Sequence, residues 1–355
     1  MEVPKPLYDE PIKGVNTPYD VIDTPDIHFI RGAKVLEAHP EVKQLMGYDP
    51  WAPAVVAFIV FAQLGCCYLV GRYCTSFSEY WWQILLLSYF VGGTLSHWAG
   101  MGIHECAHNL MARTTVQNYL IAIFANTAIG VPSAIQFRRH HLLHHSHLGI
   151  ENIDNDFPSH FEAKWIGKNR FLKFIWLFFY VFFITMVRGF LVKPGRWEWF
   201  NIAYIVLVDV LIFYFFGPVA FAYLMISTFW GYSFHPTAGH FIHEHFIFKE
   251  GQETNSYYGI LNHVCFYVGY HNEHHDIMNI PGRYLPKYYK MTREFYDGME
   301  STKSWTHAIL WHFIVSPTLG ADSRYVRNEA VREKGISILN KMRRGKTNRD
   351  AEASV

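Results

Sequence analysis

"HECAHNLMARTTVQNYL", residues 104–120, follows directly on a long apolar run. Two histidines stand four apart, with an acid between them, at the edge of what reads as a membrane segment. On a helix, positions i, i+3 and i+4 share one face, so His104 and His108 point two imidazoles the same way. One such pair decides nothing, but the pattern recurs. "HHLLHH" at 140–145 supplies His141, His144 and His145, and "HNEHH" at 271–275 supplies His271, His274 and His275. Of the 21 histidines in the chain, 17 lie between His97 and His275. Imidazole suits iron, zinc, copper and nickel. Eight ligands are too many for one metal and suit two metals side by side. Structural zinc takes four ligands and favours thiolates, and only Cys106 lies inside a cluster. The Glu and Glu-x-x-His set of the soluble di-iron bundles is missing.

The surroundings point to a membrane. Half of the 355 residues are hydrophobic and 17% are charged, against about 25% charged in average soluble domains. A net charge of +1 gives no global field of the kind nucleic-acid binders need. The five cysteines form no CxxC pair, which reads as buried free thiols rather than a disulfide framework. The first thirty residues have no apolar core, so no cleavable signal peptide is visible. Apolar runs occupy about 52–70, 81–103, 118–137, 171–192, 201–216 and 219–234. Several approach the roughly 20 residues that span a bilayer, with Trp51, Trp81 and Trp82 at their edges.

All three clusters must reach one site, so they lie on one side of the membrane. Only the run 118–137 separates the first from the second. It must therefore be re-entrant, interfacial or buried in protein, which fits Asn126, Gly130 and Pro132. Between the second and third clusters an even number of runs must cross. Residues 201–216 and 219–234 then make a hairpin about Gly217-Pro218, and 171–192, carrying Arg188, lies on the bilayer surface. As one span, 201–234 would be about 50 Å of helix, too long for a core of roughly 30 Å. Four spans are expected.

HxxxH, HxxHH and HxxHH, in that order and separated by hydrophobic segments, resemble the three histidine boxes of the membrane fatty-acyl desaturase and hydroxylase superfamily. The segments "HPEVKQLMGYDP" (39–50), "ANTAIGVPSAIQFRRHH" (125–141), "HPTAGHFIHEH" (235–245), "ETNSYYGILNHVCFYVGYHNEHHDIMNIPG" (253–282) and "LPKYYKMTREFYD" (285–297) are similar to the sphingolipid Δ4-desaturases, the dihydroceramide desaturases. The match covers nearly all of residues 35–300, and the long third-box segment is its most specific part.

The resemblance implies an all-α integral membrane protein of about four transmembrane helices, with a cytosolic helical cap carrying a histidine-rich di-iron site. It implies an N-terminal cytosolic segment (1–50), a membrane desaturase domain (51–300) and a C-terminal cytosolic tail (301–355). Two Fe ions would be held by His104, His108, His141, His144, His145, His271, His274 and His275. A ninth ligand is expected near the end of the last span, where "HPTAGHFIHEH" offers His235, His240, His243 and His245. His240 is favoured, with His235 second. The implied reaction is oxygen-dependent desaturation of dihydroceramide at C4–C5, with O2 as co-substrate, in the endoplasmic reticulum membrane. No dinucleotide fingerprint or fused cytochrome b5 motif is visible, so the resemblance implies cytochrome b5 and NADH-cytochrome b5 reductase as separate electron donors.

Other polar residues have assignable roles. Glu105, Asn272, Glu273 and Asp276 lie in or beside the boxes, where metal-bound imidazoles find partners for their other N–H; Asn109 is a parallel case. His140 and His147 flank the second box and read as local hydrogen-bonding residues. Asp209 falls in the middle of an apolar run, where a charge costs on the order of 3 kcal/mol, and is a candidate contact for a lipid head group. Two other functions compete. The same scaffold serves a sphingolipid C4-hydroxylase, alone or as a second activity. A histidine-rich membrane metal transporter would instead place its ligands near the midplane within spans.

Overall fold

The computed structural model describes residues 17–151, 153–184 and 194–352. A two-residue strand β1 (Asp20–Val21) and helix α1 (Ile27–Ala38) precede α2 (Ala52–Tyr73). Then come α3 (Phe77–Leu87), a π-helical turn (Ser88–Gly93), α4 (Thr94–Ala107), α5 (Thr115–Ala125) and α6 (Ala134–Ser146). They are followed by α7 (His160–Ile166), α8 (Arg170–Phe178), the single turn α9 (Tyr180–Phe182), α10 (Arg196–Phe216) and α11 (Pro218–Gly231). The last third is built of short pieces, α12 (His240–His243), β2 (Ser256–Tyr257), α13 (His271–Asp276), α14 (Leu285–Met291), β3 (Ser301–Thr302), α15 (Trp305–His307) and β4 (Tyr325–Val326), before the long polar helix α16 (Glu329–Glu352). The strands are ties between distant segments. β1 pairs in parallel with β4, and β2 with β3.

Helix α2 has 22 residues and α10 has 21, about 32 Å each at 1.5 Å per residue. Among the described residues these two are long and apolar enough to cross a membrane. Their outer faces carry exposed Phe58, Phe61 and Leu69 on α2, and Leu207, Val210 and Phe213 on α10. Water would penalise that surface and lipid would not. The other two expected spans take a different form. Residues 81–103 are divided among α3, the π turn and α4, and α11 has only 14 residues. Helix α4 is buried almost all round, as befits a central helix. Val56, Ile59 and Val60 of α2 pack with Ala99 and Ile103 of α4 and with Ala122 and Ala125 of α5. The alanines let the backbones approach closely.

The run 118–137 reverses direction. α5 ends at Ala125, and Gly130 turns the chain at φ 68° into α6. A Cβ there would also lie 2.4 Å from the Met225 methyl carbon, so both backbone and space call for glycine. The Asn126 side chain staples the turn. Its oxygen accepts from the backbone N–H of Ser133 (3.0 Å) and Ala134 (3.1 Å), and from the Asn201 amide (3.0 Å) on α10. The reversal returns the second histidine cluster to the level of the first. Of the run 171–192, the first residues form α8 and α9, while Arg188 lies outside the described residues.

Helix α1 sits directly on α13. A Cβ on Gly32 would lie 2.3 Å from the Asp276 carbonyl oxygen. The Asp276 carboxylate takes Arg31 Nε at 2.5 Å, the His28 ring at 2.7 Å and the Tyr296 hydroxyl at 2.7 Å. A segment near the N-terminus thus braces the third cluster.

Candidate metal centre

His104 and His108 close α4, whose last carbonyls need partners. Arg138 supplies them from α6, donating to the carbonyls of Cys106 and Ala107. The 3.6-residue repeat of α6 then turns His141, His144 and His145 inward, and the single turn of α13 presents His271, His274 and His275 from the opposite side.

These side chains form two groups. In the first, one ligand nitrogen each of His104, His108, His141, His145 and His274 lie within 4.8 Å of one another. Nε2 to Nε2 distances are 2.8 Å for His108–His141, 3.0 Å for His141–His145 and 3.2 Å for His145–His274. The second group is His144, His245 and His275, again within 4.8 Å. His245 Nε2 lies 3.0 Å from His144 Nε2 and 2.8 Å from His271 Nε2. The His145 and His275 rings stack between the groups at 4.1 Å.

The donor set fits metal. Nitrogens bound at about 2.0–2.1 Å to one ion stand about 3 Å apart. The buried Nε2 atoms of His104 and His275 have no hydrogen-bond partner, a costly state without a cation to meet them. Burial holds the His141, His145, His271, His274 and His275 imidazoles well below their usual pKa range, and the neighbouring imidazoles add to this. Burial thus favours their neutral form, the form that ligation requires. His144 departs from the rest. Burial pulls it down, but the Asp154 charge and hydrogen bond raise it above its usual value. Asp154 Oδ1 lies 2.8 Å from His144 Nδ1, and the carboxylate also accepts from the backbone N–H of Gly149 and Asp156. This fixes the proton on Nδ1 and leaves Nε2 for metal.

The structure places the other expected site residues as follows. His271 is in neither group, though its Nε2 adjoins His245, and His240 is also in neither. Its Nδ1 lies 2.9 Å from Glu244 and its ring packs against His97. The structure brings in His245 instead. α12 ends at His243, so His245 lies on irregular chain beyond it and is not bound to the helical spacing that fixes His240. His235 is further off, bonded to Thr237 and the Tyr89 carbonyl. The acids beside the boxes do not hold the box imidazoles. Glu105 accepts from the Gly282 N–H at 2.9 Å and stays 3.7 Å from His104. Glu273, raised to about 7 by burial, accepts from Ser256 and Tyr258. Asn272 bridges Arg31 and Ser256, and Asp276 holds α1. These groups brace α13 against its neighbours. His147 pairs with Ser146, and His140 with Asn155. Asp154 went unnoticed because a carboxylate ten residues past His144 carries no spacing signal.

A cavity of about 220 Å³ opens onto both groups, reaching His104, His141, His144, His245 and His271. Much of the remaining wall is apolar, including Ile129, Val131, Phe137, Ile184 and Phe241, with Gln136, Asn155, Asp156, Thr228 and Glu244 among its polar members. Asp209 does not line it; its carboxylate lies on α10 beside Gly130.

Residues 80–306 match the family model described as fatty acid desaturase, and residues 19–51 match that of sphingolipid Delta4-desaturase. The chain is 41% identical over 307 residues to the sphingolipid delta(4)-desaturase DES1-like protein of Arabidopsis thaliana, covering 86% of this chain and 90% of that one. It is 36% identical to sphingolipid delta(4)-desaturase DES1 of Homo sapiens over 328 residues, covering 90% and 97%. The chain belongs to the sphingolipid delta(4)-desaturase family. No solved structure matches it. This desaturase is therefore an oxidoreductase of sphingolipid metabolism, and its family is membrane-associated. The 19–51 match falls on the segment that contains α1, the helix seated on the third histidine box.

Proposed function

We propose that this desaturase introduces the C4–C5 double bond into the sphingoid chain of dihydroceramide to give ceramide, using two irons, O2 and electrons from cytochrome b5 and its NADH-dependent reductase. The observation that carries the reading is the apolar cavity opening onto two adjoining groups of buried imidazoles. His104, His108, His141, His145 and His274 would hold one iron, and His144, His245, His271 and His275 the other. When bound, the irons supply the oxygen activation that removing hydrogen from an unactivated methylene demands. The chain's own residues do the positioning. Asp154 orients His144, Arg138 fixes the end of α4, and the apolar walls exclude water and align the alkyl chain. Anchoring the substrate by its amide and hydroxyls, rather than by its methyl end, would bring a carbon four positions from the head to the histidine end of the cavity. Such positioning can supply several kcal/mol toward the barrier.

The same reading places the protein in the endoplasmic reticulum membrane with the boxes toward the cytosol. The α10–α11 hairpin and the two segments α2 and α3–α4 would then make four crossings of domain 51–300, flanked by cytosolic 1–50 and 301–355. The test offers dihydroceramide and stearoyl-CoA to purified enzyme with the same electron donors, with products read by mass spectrometry. Ceramide formation is expected; C4-hydroxylated product in its place would make the protein a hydroxylase. Efficient desaturation of stearoyl-CoA with dihydroceramide untouched overturns the substrate assignment.

A further inference from the structure

The cavity's polar atoms near the histidine groups are mostly engaged. Glu244 Oε2 faces His240 at 2.9 Å and its Oε1, which accepts no hydrogen bond, still faces His271 at 3.5 Å; Asp156 is ion-paired to Arg324 at 3.0 Å, and the Thr228 hydroxyl donates to the Ile129 carbonyl. Asn155 differs. Its amide nitrogen is spent on the His140 ring, while its oxygen is buried without a partner, and the residue lines the cavity. A buried amide oxygen left without a donor is costly, and burial beside an apolar channel suggests that the donor arrives with a ligand. Asn155 is also fixed relative to the chemistry. It follows Asp154, whose carboxylate holds His144, and its amide is tied to α6 next to His141.

Resting on the dihydroceramide reading, we propose that the Asn155 side-chain oxygen accepts the hydrogen bond of the sphingoid C3 hydroxyl. That hydroxyl is on the carbon bonded to C4, so it enters the histidine end of the cavity with the reacting carbon. It is also a donor, which the orphan oxygen requires. The amide N–H, on C2, lies one carbon further out. Asn155 is thus a positioning residue for regiochemistry. It fixes the hydroxyl, and the next carbon along falls beside the metal ligands.

The experiment compares purified wild type, Asn155→Ala and Asn155→Asp on dihydroceramide and on its analogue lacking only the C3 hydroxyl, with iron content measured alongside. Asn155→Ala should lower kcat/KM for dihydroceramide about tenfold, the scale of one buried hydrogen bond, and leave the 3-deoxy analogue and iron content unchanged. Asn155→Asp, which keeps an acceptor oxygen, should retain the preference for the hydroxylated substrate. Equal losses on both substrates, or loss of iron, would assign Asn155 to structure or to His144 and overturn the proposal while dihydroceramide turnover by the wild type stands. Wild type that ignores dihydroceramide overturns the substrate reading, and this assignment with it.

Discussion

The five-histidine group takes its donors from α4 and its cap, α6 and α13, where helical spacing aims them together. The smaller group takes His245 from irregular chain beyond α12, and acids support it: Asp154 holds His144, and Glu244 lies 3.5 Å from the adjoining His271. One group is made by periodicity and the other by tertiary contact and charge. A site of the first kind is robust to its environment. A site of the second kind depends on distant carboxylates to hold its tautomers and ring angles, and it offers more places at which a single change unbalances it.

Mutations in the two groups should separate them. The largest effect is expected for His108→Ala or His274→Ala, which remove a donor from the first group. Turnover should fall to background with the protein still membrane-embedded, and residual activity above a few per cent would argue that the group is not the metal site. His245→Ala comes next, with iron per chain falling from about two toward one and activity lost, whereas His240→Ala keeps its iron. Metal analysis showing the reverse would restore His240 to the ligand set. Asp154→Asn should cost 10–100-fold in metal affinity or activity, confined to the second group; unaltered metal retention under chelator challenge would remove Asp154 from its supporting role. The smallest effect is expected for Arg138→Gln, which loosens the end of α4. A severalfold drop in kcat with iron retained in the second group would distinguish the two halves. Uniform loss from both would show that they are one cooperative unit.

Most of the first group was legible because its signal is local. Spacings of three and four residues survive without knowledge of the fold, and an apolar run interrupted by Asn126, Gly130 and Pro132 announces a turn. What was not legible is set by partners far along the chain. Asp276 reads from its place beside the third box as a partner for a box imidazole, yet its partners are His28 and Arg31, about 250 residues earlier. The choice between His240 and His245 depends on where α12 unwinds, and sequence spacing says little about a helix of four residues. The same limit hid the division of 81–103, where a hydropathy run conceals the π turn.

The seating of α1 on α13 also sets an order of events. α1 leaves the ribosome early, but the helix it braces, with three of the imidazoles, emerges some 248 residues later, and β1 waits longer still for β4. Contacts of such long sequence separation form late. The nascent chain therefore threads its hydrophobic helices while its donor atoms are still unassembled, and the full set of imidazoles comes together only once residue 275 has been added.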